Sequence, residues 1–309
     1  MKKILSIDGG GIRGIIPALV LAELEQKIGK PTSEIFDLIA GTSTGGILAL
    51  ALSQDDGQGN PQYSAKDLIQ LYEQEGKNIF PKSVWQDVST LCGLADEKYP
   101  REGIDTVLAN YFGSARLGSC LTKTVVTAYD IQNREPLFLK SWRPGHQSIK
   151  SVDAARATSA APTYFAPVNM SIENKDRVLI DGGIFINTPS VSAYVEALRI
   201  FPDEKDFLVV SLGTGELNRP IPYHQAKDWG IVEWLNPLLS CVFDGVCDAA
   251  NYQMSLLLEG NYYRLQTWLD KAVDEMDNVS DENMAALKAE AATLLKEHQD
   301  DIQRLCSIL

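Results

Sequence analysis

The sequence predicts an α/β fold, a mostly parallel central sheet flanked by helices. Three observations point there. Short apolar, β-branched runs alternate with longer stretches of helical periodicity, the pattern of parallel strands joined by helical crossovers. Glycine-rich turns follow the first two strand-like runs directly, at 8–14 and 41–45, the edge where such sheets bind ligands. The composition is globular, with 309 residues of which 45% are hydrophobic, enough for one sizeable core.

Taken in order, strand Lys3–Ile7 leads to a helix from about Ile16 to Ile28. Strand Ile35–Ile39 leads through the second glycine turn to a helix over Ile47–Leu52. Gln54–Gln62 is a polar loop, and Ala65–Gly76 is helical. Residues 77–100, with Pro81, Pro100 and scattered aromatics, read as irregular and as a cover over the site. A helix near Ile104–Tyr111 precedes strands Thr124–Tyr129 and Pro136–Leu139. A short helix over Val152–Ala157, strand Val178–Ile180, helix Val191–Ile200 and strand Phe207–Ser211 follow. Trp229–Leu258 is apolar and mostly helical. Its run of Trp229, Val232, Trp234, Leu235, Leu238, Leu239, Val242 and Phe243 reads as core in preference to a lipid-docking face. After strand Tyr262–Gln266, a last helix over Asp281–Leu305 puts Met284, Leu287, Ala291, Leu294, Leu295, Ile302 and Leu305 on one face. No linker or repeat is evident, so a single domain over 1–309 is expected, with a core at about 3–215 and a helical C-terminal region at about 226–309.

Gly41-Thr42-Ser43-Thr44-Gly45 is a G-x-S-x-G between a strand and a helix, the pattern of a nucleophile elbow. Gly41 and Gly45 let the backbone turn sharply and lift the Ser43 hydroxyl clear of the sheet. In Asp8-Gly9-Gly10-Gly11-Ile12-Arg13-Gly14, backbone N–H groups are unshielded by side chains and suit an oxyanion. Gly9, Gly11 and Gly14 also satisfy G-x-G-x-x-G, so a nucleotide-binding module is the rival reading. That fold wants an acid at the far end of the second strand. Asp37 falls early in it, and Ser43 stands where the acid should be, which favours acyl transfer. Asp181-Gly182-Gly183 closes another strand with a carboxylate able to act as base; the bland alternative is an ordinary turn. The three histidines, His146, His224 and His298, sit in turns or charged helical context, so a Ser43–Asp181 pair is favoured over a histidine triad. Arg13 reads equally as a brace for the glycine loop or as a partner for a lipid phosphate.

These motifs resemble the patatin-like phospholipase family: D-G-G-G-x-R-G at 8–14, G-T-S-T-G-G at 41–46 and D-G-G at 181–183. Ser159–Phe165, Asn187-Thr188-Pro189, Ser211–Gly215 and Asp274–Asn278 agree with it, so the likeness covers nearly the whole chain. The resemblance implies a three-layer patatin-like architecture and lipid acyl ester hydrolysis. It makes Ser43 the nucleophile, Asp181 the base and the Gly10 and Gly11 amides the oxyanion donors. It leaves a catalytically silent lipid-binding protein as an alternative on the same fold. Some bacterial members are phospholipase effectors switched on by a cyclic nucleotide and by assembly, so the resemblance also implies a resting protein opened by a ligand such as a cyclic nucleotide, or by oligomerisation, with the oligomeric state itself left open.

Composition narrows the partners. Lys and Arg number 28 against 41 Asp and Glu, a net charge of −13, which argues against nucleic acid polymers and against charge-driven binding to anionic membranes. A membrane lipid or lysolipid remains the expected substrate, met through apolar surface. No metal-ligand spacing exists, so no metal or cofactor is expected. The longest apolar runs fall far short of the roughly 18 residues a membrane helix needs. Five dispersed cysteines and a strand starting near residue 3 point to a cytoplasmic protein, at most peripheral at the membrane.

Overall fold

The computed structural model describes residues 1–81, 98–216, 220–273 and 275–309. β1 (Lys2–Ile7) is a central strand whose last four residues are buried. It packs Leu5 and Ile7 on one face and Ile4 on the other, as period-two alternation requires. α1 (Ile15–Ile28) ends at Gly29, which adopts a left-handed φ of 74° that a side chain would oppose.

The second strand begins later than expected. β2 spans Leu38–Gly41, because Thr32–Ile35 folds into a helical turn. Glu25 fixes that turn by accepting from the Thr32 amide at 2.8 Å and its hydroxyl at 2.7 Å. Asp37 therefore precedes the strand, where it accepts from the Lys3 amide and pairs with Lys2. α2 (Thr44–Leu52) follows, and α3 (Ala65–Ile79) is capped reciprocally by Ser64 and Asp67. α4 (Arg101–Phe112), β3 (Lys123–Asp130), β4 (Glu135–Lys140) and α5 (Ser151–Thr158) come next.

β5 (Val168–Ile172) was not expected from the sequence. It forms a hairpin with β6 (Lys175–Asp181) across Glu173 and Asn174, both at positive φ. α6 (Ser190–Ile200), β7 (Phe207–Leu212), α7 (Ile231–Leu258) and β8 (Tyr262–Leu265) complete the crossovers. The expected last helix is two, α8 (Asp281–Glu297) and α9 (Gln299–Ile308), interrupted at His298.

The sheet runs β5-β6-β3-β2-β1-β7-β8, with β4 also on β3. β3 to β8 along this order are parallel, whereas β4 and β6 run antiparallel to β3. Helices cover both faces. Ala193 and Ala197 of α6 and Met254 of α7 pack on Ile4, Leu38, Val125 and Val209. On the other face, Leu5, Ile39, Val126 and Val210 belong to the large core that α1 to α5 complete, and α8 and α9 extend this core by packing on α1.

The apolar run at the start of α7 is a correction. Of its described members, Trp234, Leu238 and Val242 are exposed rather than core; the helix buries only Ala250 and Met254 among its described side chains. Periodicity identified an apolar face correctly but not its partner, because this part of the helix outruns the sheet it crosses.

One detail of the register places the site. β2 pairs with β3 from Leu38↔Lys123 to Gly41↔Val126. β6 comes from the opposite direction and ends at Asp181↔Ala128. β4 occupies the other edge of β3 over the same residues, so β2 and β6 meet end to end along one edge.

Candidate active site

Ser43 sits in the turn from β2 to α2 with φ 54° and ψ −124°, a conformation that costs a non-glycine residue about 1–3 kcal/mol. Its surroundings enforce it. Gly41 faces the Gly45 carbonyl and Gly45 faces the Ile7 carbonyl, each so closely that a Cβ would collide with backbone. The Ser43 amide donates to Thr158 Oγ1 at 3.0 Å. Thr42 shares a hydrogen bond with Thr127 Oγ1 and donates to the Ile186 carbonyl, both at 2.8 Å.

Asp181 ends β6 and is almost wholly buried. Its amide donates to Ala160 O, and its Oδ1 accepts from the Gly183 amide at 2.7 Å. Gly182 lies against Thr127, leaving no room for a side chain. Burial pushes the Asp181 pKa up to about 6; the Ser43 hydroxyl facing the carboxyl and the Gly183 amide pull it the other way.

The glycine loop divides its labour. The Gly9 amide donates to Asn187 O, the Ile12 amide to Met276 O and the Arg13 amide to Gly10 O. Among the described residues, the Gly10 and Gly11 amides have no such partner. Both are aimed from behind. In a trans peptide the N–H points opposite to the preceding C=O. The Gly9 carbonyl accepts from Thr214 Oγ1 at 2.7 Å and from Asn187 Nδ2, which turns the Gly10 N–H away from them. The Gly10 carbonyl accepts from the Arg13 amide and from Arg13 Nε at 3.3 Å, which does the same for the Gly11 N–H. Arg13 Nη1 also bonds Gly215 O, so the side chain braces the main chain of the loop region. Gly11 has φ +58° and lies against Met276; Gly14 packs against Thr44 and Tyr72.

Asp8, just ahead of the glycines, accepts from Thr188 Oγ1 at 2.8 Å and pairs with Arg264 at 2.7 Å. Arg264 comes from β8, and nothing in its local sequence marked it. It also donates to Ser211 Oγ at 3.0 Å, tying β1, β7 and β8 together at the edge where the loop begins.

A pocket opens at Ser43. Gly11 and Met276 contribute to its rim, and Ile47, Leu71, Ile79, Phe80, Leu108, Tyr164 and Phe165 form apolar walls. Of the expected irregular cover at 77–100, Lys77–Ile79 belong to α3, Phe80 and Tyr99 are buried against Phe165, and 82–97 lie outside the described residues. Among the described residues, no histidine lines this pocket. His146 is buried beside β4, where Nδ1 accepts from the Lys140 amide, and burial and Arg143 depress its pKa to about 4. His298 pairs with Asp301, and His224 is exposed. Asp37, held by Lys2 and Lys3 before β2, is not at the far end of the strand as a ribose-binding acid would be.

The family model for patatin-like phospholipase matches residues 5–194. The chain is 34% identical to Patatin-like protein 4 of Arabidopsis thaliana over 92% of this chain and 81% of that one. It is 32% identical to Patatin-like protein 2 of Oryza sativa subsp. indica, with the same coverage. The crystal structure of VipD from Legionella pneumophila overlaps more loosely, with a TM-score of 0.48 and 14% identity over 96% of this chain and 67% of that one. The chain belongs to the patatin-like phospholipase family, which implies a serine lipid acyl hydrolase acting on carboxylic esters.

The buried carboxyl has a consequence for stability. A folded pKa of about 6 against 3.8 means that the folded chain keeps a proton which the unfolded chain releases, so stability falls as pH rises from about 4 to 6. Asp181→Asn should abolish that fall and make the variant more stable than wild type at pH 7 by about 1–3 kcal/mol. Urea midpoints across pH 4–8 measure it; a variant less stable than wild type at pH 7 would contradict the origin assigned to the shift.

Proposed function

We propose that this protein hydrolyses acyl esters of membrane lipids through a Ser43–Asp181 dyad, as one patatin-like unit. The observation that carries this is the strained Ser43 facing a buried carboxyl of raised pKa, beside two aimed amides and an apolar pocket. In the mechanism, Asp181 takes the Ser43 proton as Oγ bonds to the ester carbonyl carbon. The negative charge on the carbonyl oxygen is received by the Gly10 and Gly11 N–H groups. Collapse breaks the ester bond, and the departing alkoxide takes the proton from Asp181. Water then gives a proton to Asp181 and its hydroxyl to the acyl carbon. Ser43 regains a proton, and the fatty acid leaves. The pocket takes the acyl chain.

A fluorophosphonate probe should label Ser43, mapped by mass, and Ser43→Ala should lose more than a hundredfold in ester hydrolysis. Because Asp181 must be ionised to act, the wild-type rate should rise with pH around 6 and then level off. Probe adducts elsewhere, or an active S43A protein, would leave the silent lipid-binding reading or another nucleophile.

Thr214 is the positioning residue we infer for the Gly10 amide. Thr214→Val should lower kcat about tenfold with KM little changed, and Thr214→Ser, which keeps the donor, should restore most of it. Equal losses in both variants would mean a packing role only.

Activation by a cyclic nucleotide and dependence on assembly extend this reading by family resemblance. Purified protein assayed with and without cyclic dinucleotides, its mass followed by light scattering, tests that extension. A rate and mass unchanged by any of them would end it.

A further inference from the structure

α7 is too long for the sheet it crosses. Its 28 residues span about 42 Å at 1.5 Å per residue, whereas six-residue β7 spans about 20 Å. The C-terminal half is fixed, since Ala250 and Met254 are buried and Cys247 Sγ meets Asn187 Nδ2 beside the Gly9 carbonyl. β7 and β8 are parallel, so α7 starts beyond the carboxyl edge of the strands and returns to the opposite edge. The residues ahead of Cys247 therefore overhang the edge that carries Ser43, Gly10 and Gly11.

This overhang shows an apolar stripe to solvent. Trp234 is 37% exposed, Leu238 51% and Val242 46%, at successive i, i+4 positions on one helix face. Between Ile231 and Phe243 the only charged residue is Glu233. A separate element adds to the same edge: Trp268, just past the end of β8, is 62% exposed. Isolated exposed apolar residues need no explanation, but a stripe and a second indole at the substrate edge do.

We propose that this overhang, with Trp268, is the arm by which the protein docks on an uncharged or zwitterionic lipid surface. The proposal rests on the reading that the substrate is a lipid ester. An enzyme acting on such esters must bring the bilayer to the carboxyl edge of its sheet, where the arm stands. Indoles favour the membrane–water interface, and an apolar helix face can lie in it. A net charge of −13 with no basic residue on the arm gives anionic lipid no purchase, which selects the uncharged surface. Among the described residues no helix is long and apolar enough to cross a membrane, so this is contact from one side.

The test is flotation with phosphatidylcholine vesicles in a Ser43→Ala background, which keeps the vesicles intact whether or not the protein is a hydrolase. The combined variant Trp234→Ser, Leu238→Ser, Val242→Ser should bind at least about tenfold more weakly, and Trp268→Ser alone should also weaken binding. Leu256→Ser, on the exposed face of the C-terminal half, should bind like its parent. With Ser43 restored, the triple variant should lose vesicle hydrolysis in proportion while cleaving a soluble short-chain ester at the parental rate. Thermal melting checks that each variant is folded, and Trp268→Ser carries the test if the triple variant is not. The proposal is overturned if the parent does not float, if the triple variant or Trp268→Ser floats as well as the parent, or if Leu256→Ser loses as much. It is also overturned if light scattering shows the triple variant falling from oligomer to monomer with vesicle binding unchanged, which would give the face to a second copy. Failure of all ester hydrolysis alongside intact, arm-dependent flotation would reject the hydrolase reading and leave the docking surface standing.

Discussion

The end-to-end meeting of β2 and β6 along one edge of β3 is the constraint from which the site follows. β2 stops at Gly41, opposite Val126, and β6 stops at Asp181, opposite Ala128. Two strands arriving from opposite directions leave Thr127 between their ends, and it is used from both sides: it bonds Thr42 and packs on Gly182. The turn out of each strand must swing away, one into α2 and the other into the Gly182–Ile184 turn. Ser43 and Asp181 are the residues at those two departures. The reversal from parallel to antiparallel pairing at β3 is therefore part of what brings a serine and a carboxyl together from positions far apart in sequence.

A second constraint acts on the glycine loop. Free amides can point anywhere unless their peptides are held, and here the holding is done on the carbonyl side. Thr214 and Arg13 fix the carbonyls of Gly9 and Gly10, while Asp8 anchors the start of the loop to Thr188 and Arg264. Met276 closes the far side by accepting from Ile12. Donors set in advance lose no energy to reorientation when charge develops, the condition for strong oxyanion stabilisation. The family marks Asn187–Pro189 and Ser211–Gly215 acquire a physical meaning: several of their residues support this loop.

What was legible in the sequence was local. The glycine turns, the serine between strand and helix and the Asp-Gly-Gly dictate their own backbone geometry, so they could be placed before any tertiary contact was known. The start of β2 could not, because Glu25 and the pairing of Asp37 with Lys2 and Lys3 outweigh the β propensity of Ile35 and Phe36. β5 was missed because Val168–Ile172 is short and half-exposed and gains its order from the hairpin with β6. Thr214 falls within the family mark Ser211–Gly215, but its role comes only from its contact with Gly9; Arg264 carries no motif and matters only through its contacts with Asp8 and Ser211. The stripe on α7 shows the same limit from the other side: spacing reveals that a face is apolar, and only the lengths of neighbouring elements reveal whether protein covers it.

In the proposed mechanism Asp181 is the base, and among the described residues no histidine lines the pocket to share that role. A carboxylate at its ordinary pKa is a feeble acceptor for a serine proton, and one in water could hardly be improved. Burial in this fold removes the solvent that stabilises the anion, and the pKa of Asp181 rises to about 6. Full desolvation with no donor would raise it further and leave the acid neutral at physiological pH. Hydrogen bonding from the Ser43 hydroxyl and from the Gly183 amide, the latter to Oδ1 at 2.7 Å, limits that rise. The two influences leave a carboxylate mostly ionised at neutral pH yet more basic than an exposed one, the compromise a general base requires. The same burial lowers stability as pH rises, so the change that makes this carboxylate more basic is also one that the folded core tolerates at a cost.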